Sequence, residues 1–487
     1  MEQIKIQPPQ IVERVLDVLH EAGYEAYIVG GCVRDHLMGR TPGDYDVTTA
    51  ALPEETIAVF NKYAEDTGHY CRIVETGLKH GTVTIVMPQE DGEFYGVEVT
   101  TFRIDGEYTD NRHPKEVTFT LSLAKDMARR DFTINAMAYS EEDGVIDLYE
   151  GQTDLANRTI RCVGEARRRF QEDGLRILRA MRFSAVLDFT PCDTDGAPYV
   201  PDATNDTTAD HSPSTHAAIH QMRELLSGIS RERIYMELTK LLGGVAADRI
   251  LRTYPDVIMT ALPMLQSPEQ ICTAADAFRR LLEGESATGV RLSPEGRYAL
   301  LFADCTEEEM QEAVASLKMS RVNRKQVIRF WEHRDLLPQA TEDPQYTWRT
   351  MAGCMQNYGK RRFDFCREQA LFLYAKAQIT ADLRDQMLCA IEELEAKDPC
   401  CTLADLAVNG MDIKGIGITK ATVGIALSAL LEEVLHERLP NDKEVLLGRA
   451  KDLQGIALVP TPGKRRRNKK KKKTTMQIQD NGEDHVE

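Results

Sequence analysis

Apolar positions recur at helical spacing in residues 11–20 (IVERVLDVLH), placing Ile11, Val15, Val18 and Leu19 on one face. That spacing predicts an amphipathic opening helix. From about residue 26 to 140 the texture changes. AYIVGG, DYDVTTA, GTVTIVMP and YGVEVTTFR are short β-rich runs, separated by glycine, proline or a helical stretch, PEETIAVFNKYAED. A small α/β domain with alternating strands is expected there. Beyond about residue 150 the β signal fades, and stretches such as ALLFADCTEEEMQEAVASLKM and QMLCAIEELEA carry helical spacing. Residues 188–216, rich in Asp, Thr, Pro and Ala, interrupt that pattern and are expected to form a flexible surface insertion. The stretch from 456 onward has the same character, and no repeat of fixed period is found.

A chain of 487 residues suggests roughly three or four domains. No apolar run approaches the roughly 20 residues of a membrane helix, which argues against a membrane-spanning protein. The N-terminus opens with acid and does not read as a signal peptide. Eleven cysteines are scattered without a CxxC pair, Cys400 and Cys401 alone being adjacent. Reduced thiols in a cytosol are therefore expected, and a structural zinc site is not. The net charge of −17 argues against a broadly basic nucleic-acid binder. Its distribution changes that picture. Nine of the 60 Lys and Arg fall in Lys464–Lys473, and four of the 77 Asp and Glu follow them, leaving residues 1–463 at −22. An acidic body with a basic tail can still bind a polyanion through local patches. The tail is a solvated end, a general RNA attractor or, least in keeping with the rest, a nuclear-import signal.

The densest chemical signal is Gly30-Gly31-Cys32-Val33-Arg34-Asp35 followed by Asp44-Tyr45-Asp46. A glycine pair after a strand lets backbone turn tightly and approach a phosphate, because no Cβ intervenes. Arg34 can supply a planar donor fork to a phosphate oxygen. On a strand, Asp44 and Asp46 share a face while Tyr45 and Val47 take the other. Two adjacent carboxylates repel unless a cation lies between them, and hard oxygen ligands suit Mg²⁺ carrying a nucleoside triphosphate.

The run YIVGGCVRDHLMGRTPGDYDVTTA resembles the first signature of the class II nucleotidyltransferases, the bacterial CCA-adding tRNA nucleotidyltransferases and poly(A) polymerases. Further resemblances follow in the family's order. TTFRIDGEYTDNRHPKEV resembles its flexible catalytic loop, RRDFTINA (129–136) its second motif, and DLYEGQTDL its head–neck hinge. EDGLR (172–176) resembles its nucleotide-selecting motif, ISRERIYMELTKLL the neck motif, and LAVNGMDI with Gly415 and Gly417 the tail signature. The resemblance implies an α+β protein: a polymerase-β-like nucleotidyltransferase head (1–150), then an all-α neck (151–250), body (251–390) and tail (391–455), with a basic C-terminus at 456–487. It implies template-independent addition of CCA to tRNA 3′ ends from CTP and ATP with Mg²⁺, in the cytoplasm, with body and tail binding tRNA. A-only or poly(A) addition on the same scaffold is the alternative, and a non-catalytic RNA-binding protein a distant one. Some relatives carry an HD phosphohydrolase module. The local text RYALLFADCTEEEM has no His-Asp pair, so no such activity is expected.

The resemblance makes Asp44 and Asp46 the catalytic metal ligands. It places Gly31, Arg34, Arg130, Asp173, Arg176, Arg179 and Arg182 at the nucleotide, with Gly30 and Glu172 as further candidates, and gives Asp131 and Asn135 the task of organising the second motif. Arg129 is either a member of that motif or simply exposed. Glu98, between Val97 and Val99, is either a third carboxylate facing the aspartates or a structural strand residue. EDGLRILRAMRF has helical composition, which makes Asp173 and Arg176 neighbours at i,i+3. A carboxylate accepts from the amino groups of cytosine and adenine, where uracil and guanine offer a carbonyl, so one Asp–Arg pair can accept C and A. Taken alone, the same pair reads as a surface ion pair of roughly 0.2–0.5 kcal/mol. Arg179 and Arg182 drift about 60° around the helix per step. They line the site with triphosphate or base contacts, or are solvated neck arginines.

Overall fold

The structure is a computed structural model that describes residues 5–89, 92–106, 117–193, 214–334, 362–397, 399–418 and 422–454. The described residues form two compact units, one drawn from Met1–Leu337 and Arg367–Cys389, the other from Pro338–Cys366 and Ala390–Glu487.

The first unit opens with α1 (Gln10–Glu21), which buries Ile11, Val15, Val18 and Leu19 as its periodicity predicts, and Val12 beside them. The strands follow as β1 (Ala26–Val29), β2 (Asp46–Thr49), β3 (Arg72–Gly77), β4 (Thr82–Pro88), β5 (Phe94–Thr101), β6 (Arg103–Asp105), β7 (Val117–Phe119), β8 (Met137–Ser140) and β9 (Gly144–Asp147). Seven of them make one mixed sheet in the order β3-β4-β5-β2-β1-β8-β9, while β6 and β7 pair separately as an antiparallel ribbon. Within the large sheet β2 and β5 run parallel and every other pair is antiparallel. The alternation along β4 buries Val83, Ile85 and Met87, and along β5 it buries Val97 and Val99 while Glu98 faces out. Those side chains pack with Ile28, Val47, α1 and Phe60 into the core of the head. Burial of this two-layer interface leaves the other end of β2 and β5 free to present polar groups.

Helices position the rest of the site: α2 (Gly31–Leu37), α3 (Pro53–Thr67), α4 (Leu123–Ala128), α5 (Gly151–Ala156), α6 (Ala166–Glu172), α7 (Leu175–Leu187), α8 (Thr215–Gln221) and α9 (Arg231–Leu242). Further helices run from Ala247 to Glu332, and then over Arg362–Ala375 and Ala381–Ala396. The second unit gathers Leu406, Val408, Ile413, Leu430 and Leu446 into its own core. Its helix Gly410–Gly415 starts at a reciprocal cap between Asn409 and Asp412.

The expected flexible insertion at 188–216 is anchored at both ends. Thr190 and Pro191 pair in parallel with Thr159 and Ile160, and Phe189, Cys192 and Thr215 are buried. Apolar Phe189 and the backbone bonds of this small ribbon hold what composition alone marks as loop; residues 194–213 lie outside the described residues. The DNRHP-containing loop and the basic tail also lie outside them. Among the described residues no helix is long and apolar enough to cross a membrane.

Candidate functional site

One cavity of about 540 Å³ gathers most of the predicted residues. Its lining includes Gly30, Gly31, Arg34, Asp46, Glu98, Arg129, Arg130, Asp131, Asp173, Arg176, Arg179, Arg182 and Phe183. Asp44 and Glu172 stand just outside that lining.

The turn after β1 explains its glycines. Gly30 has φ +81°, a region that costs an L side chain dearly, and a Cβ there would meet the Arg130 guanidinium at 3.1 Å. Gly30 therefore lets Arg130 close on the backbone. Arg34, on α2, faces the cavity with much of its fork already used: it donates from Nη1 to Asn135 Oδ1 (2.7 Å) and from Nε to Asp35 (2.9 Å).

Strand β2 begins at Asp46, so Asp44 belongs to the turn before it rather than to the strand expected. The alternation still holds. Asp44 and Asp46 are exposed, and Tyr45 and Val47 are buried, with the Tyr45 hydroxyl and the His36 imidazole hydrogen-bonded at 2.8 Å. Parallel pairing sets Glu98 of β5 directly beside Asp46. The Asp46 carboxyl is open to solvent, yet surrounding protein and two like charges act on it. It is pushed up to about 6, first by burial and then by Asp44 and Glu98, with Arg130 pulling the other way. Among the described residues none of the three carboxylates has an ion-pair partner, and no three or more His, Cys, Asp or Glu side chains are grouped so as to hold a metal ion by themselves. Two hard oxygen donors left without counter-charge fit a divalent cation whose other ligands come from substrate phosphates and water.

The facing wall is built the opposite way. The EDGLR segment is not one helix. Helix α6 ends at Glu172, Asp173 is extended (φ −144°, ψ 105°), and α7 starts at Leu175. Asp173 makes the break, and Gly174 after it lets Leu225 approach closely, since a Cβ there would meet Leu225 at 3.0 Å. Asp173 and Arg176 consequently do not form the intrahelical ion pair that their spacing allows. Asp173 accepts from Arg233 of α9 at 2.6 Å and from the Leu175 amide at 3.0 Å. Arg176 donates to Glu172 (2.6 Å) and to the carbonyls of Arg169 and Arg129 (3.0 Å each). Arg179 pairs with Asp131 at 2.6 Å, and Arg182 with Glu237 of α9 at 3.1 Å. Burial alone would raise Asp131, but Arg179 and Arg176, with hydrogen bonds from Arg179 and Asn135, hold it at about 2. Arg34, Arg179 and Arg182 all lie over the Phe183 ring, at 5.3, 5.5 and 4.0 Å. Neither Arg179 nor Arg182 is a loose surface arginine.

Arg129 is not simply exposed either. It pairs with Asp126 at 2.8 Å, and Arg130 reaches the same carboxylate at 3.4 Å. Asp126, Arg233, Glu237 and Phe183 escape the sequence reading. Asp126 had a local signal, standing three and four residues before two arginines, and Arg233 and Glu237 lie inside the ISRERIYMELTKLL stretch without having been given a role at the site. The described cysteines are free thiols, and burial pushes Cys32 and Cys162 up to about 12, so neither is an activated nucleophile.

A carboxylate cluster on the central strands of the sheet, facing an arginine wall with a tight Gly-Gly turn between them, defines a nucleotidyltransferase head. Residues 26–161 match the family model "Poly A polymerase head domain", and residues 295–450 match that of tRNA nucleotidyltransferase domain 2. The chain is 32% identical over 441 residues to a CCA-adding enzyme of Leuconostoc citreum, covering 90% of this chain and 95% of that protein. It is 41% identical over 276 residues to the CCA-adding enzyme of Geobacillus stearothermophilus, the match covering 56% of this chain and 60% of that one. The crystal structure of the Bacillus stearothermophilus CCA-adding enzyme in complex with CTP superposes with a TM-score of 0.70 at 28% identity, covering 92% and 98% of the two chains. The chain belongs to the CCA-adding enzyme family of nucleotidyltransferases. Members of this family generally use a divalent metal ion.

Proposed function

We propose that this protein adds C, C and A to the 3′ end of tRNA from CTP and ATP, with Mg²⁺ as its metal. The observation that carries the reading is the single cavity in which uncompensated carboxylates face a braced arginine wall. Full-length similarity to proteins named CCA-adding enzymes supports the choice of product.

Asp44 and Asp46 would hold the metal, with Glu98 beside them; bound there, Mg²⁺ supplies charge neutralisation for the triphosphate and a lowered pKa at the primer hydroxyl. Arg130, pressed against Gly30, binds the triphosphate. Gly31 keeps the turn small enough for phosphate approach, and Arg34 steadies Asn135 at its floor. Asp173 keeps unused lone pairs on both oxygens and accepts the amino group shared by cytosine and adenine. Arg176, fixed by Glu172, donates to the same base edge. Arg179 and Arg182 shape the pocket around Phe183. In this reading residues 1–150 are the head, 151–250 the neck, 251–390 the body and 391–455 the tail, body and tail gripping tRNA. Free thiols among the described cysteines support a cytoplasmic setting.

Incubating the purified protein with tRNA lacking CCA and each labelled nucleotide tests the reading in one gel. Sequential addition of two C and one A is expected. Runs of A alone would identify a poly(A) polymerase instead, and no extension with any nucleotide would defeat both.

A further inference from the structure

Asp126 is the one fully buried carboxylate in reach of the cavity arginines that the proposed chemistry leaves without a task. It sits on α4 and touches four residues of the head. Its Oδ1 pairs with Arg129 (2.8 Å) and accepts the backbone amide of Arg103 at the start of β6 (3.2 Å). Its Oδ2 pairs with Arg130 (3.4 Å) and lies 3.5 Å from the Thr48 hydroxyl, two residues along β2 from Asp46. Thr48 is itself buried and donates to the Thr100 carbonyl of β5. One carboxylate thus joins the metal-bearing strand, the base of the β6–β7 ribbon and the arginine set against Gly30.

Placing a charge at zero exposure is expensive, and hydrophobic replacement of such an ion pair is often neutral or stabilising. Core packing gives no reason for this residue. Its geometry does. Arg130 is half-buried on the cavity wall, and its Nε is buried without a hydrogen-bond partner, so little besides Asp126 and the Gly30 backbone defines where it points. Burial also lowers the Arg130 pKa, and Asp126 is the largest influence opposing that.

We propose that Asp126 is a positioning residue for nucleotide binding: through its ion pair it aims Arg130 at the triphosphate, and through Thr48 and the Arg103 amide it keeps that aim in register with the carboxylate strand. The inference rests on the reading of Arg130 as a triphosphate ligand. Asp126→Asn keeps the shape and the acceptor for Arg103 but removes the charge. CTP affinity should fall tenfold or more while CMP affinity changes less than threefold, because CMP lacks the phosphates Arg130 reaches. In an Arg130→Gln background the same Asp126→Asn change should cost less than threefold, since the residue it acts through is gone. Equal losses for CTP and CMP, or a tenfold loss repeated in the Arg130→Gln background, would show a merely structural role and overturn the proposal. Should Asp126→Asn not fold, Arg130→Lys serves: lysine keeps a cation but not the guanidinium fork, so a CTP-specific loss supports the proposal and unchanged CTP affinity refutes it. Wild-type protein that binds no CTP would instead sink the functional reading on which all this stands.

Discussion

The two walls of the cavity are built on opposite electrostatic rules. On the central strands β2 and β5, Asp46 and Glu98 stand side by side with Asp44 close by, none of them in an ion pair among the described residues, and Asp46 carries the strain as a carboxyl raised to about 6. Across the cavity each arginine is matched: Arg176 with Glu172, Arg179 with Asp131, Arg182 with Glu237. The first wall is completed by what binds to it. The second is complete already, and what binds must conform to it. A reaction centre benefits from the first arrangement, because the unmet charge is the driving force for recruiting metal and triphosphate. A selector benefits from the second, because a hydrogen-bonding edge discriminates only if its donors and acceptors cannot follow the wrong base.

Removing the uncompensated wall should have the largest effect. Asp46→Ala and Asp44→Ala should each lower kcat by about 10³-fold or more, several kcal/mol of charge stabilisation, while tRNA binding survives. Near-normal turnover of either variant would dissolve the contrast. The braced wall should fail differently. Asp173→Ala should raise relative incorporation of UTP or GTP by about 5- to 150-fold, the worth of one bidentate base contact. An unchanged preference for C and A in competition assays would show that selection lies elsewhere.

The pH dependence sharpens the same point. Asp46 is raised in the fold, so its neutral form favours folding. That contribution is fully present below its ordinary value of 3.8 and lost as pH rises through about 6. At pH 7.5 the ionised group strains the metal-free protein, and Asp46→Asn should raise its melting temperature by about 1–3 °C after allowance for solvent screening. It should do so while abolishing turnover. For the wild type, the Mg²⁺ concentration giving half-maximal activity should climb as pH falls through about 6. A melting temperature lowered by Asp46→Asn would contradict the assigned strain. The smallest effect is expected at the ring beneath the arginines: Phe183→Leu should raise KM for CTP about 2- to 5-fold by removing a cation–π surface, with kcat nearly intact.

What could be read from sequence and what could not follows this divide. Gly30 and Asp46 announce themselves because strand alternation and a local turn decide where they point, whereas Glu98 is left between two readings until β5 is seen to pair with β2. The braces are invisible for the opposite reason. Arg233 lies 60 residues from Asp173 and Glu237 lies 55 from Arg182, distances that no periodicity spans. The same blindness made Asp173 and Arg176 look like partners on one helix. The extended backbone of Asp173 breaks that helix, and each side chain goes to another partner. Phe189 shows a third case, where a polar run hid one buried aromatic that ties it down.

The carbonyl of Arg129, which holds Arg176 at 3.0 Å, constrains how this enzyme can be recombined. A chimera that joins two relatives near residue 150 would cut between Arg176 and the backbone that mounts it. Thr48, Asp126, Arg129 and Arg176 form a chain of four residues from β2 to α7. The chain from β1 to the end of α7 therefore travels as one cassette, and a crossover that respects the molecule falls after α7, where Asp188 ends the helix in a left-handed turn.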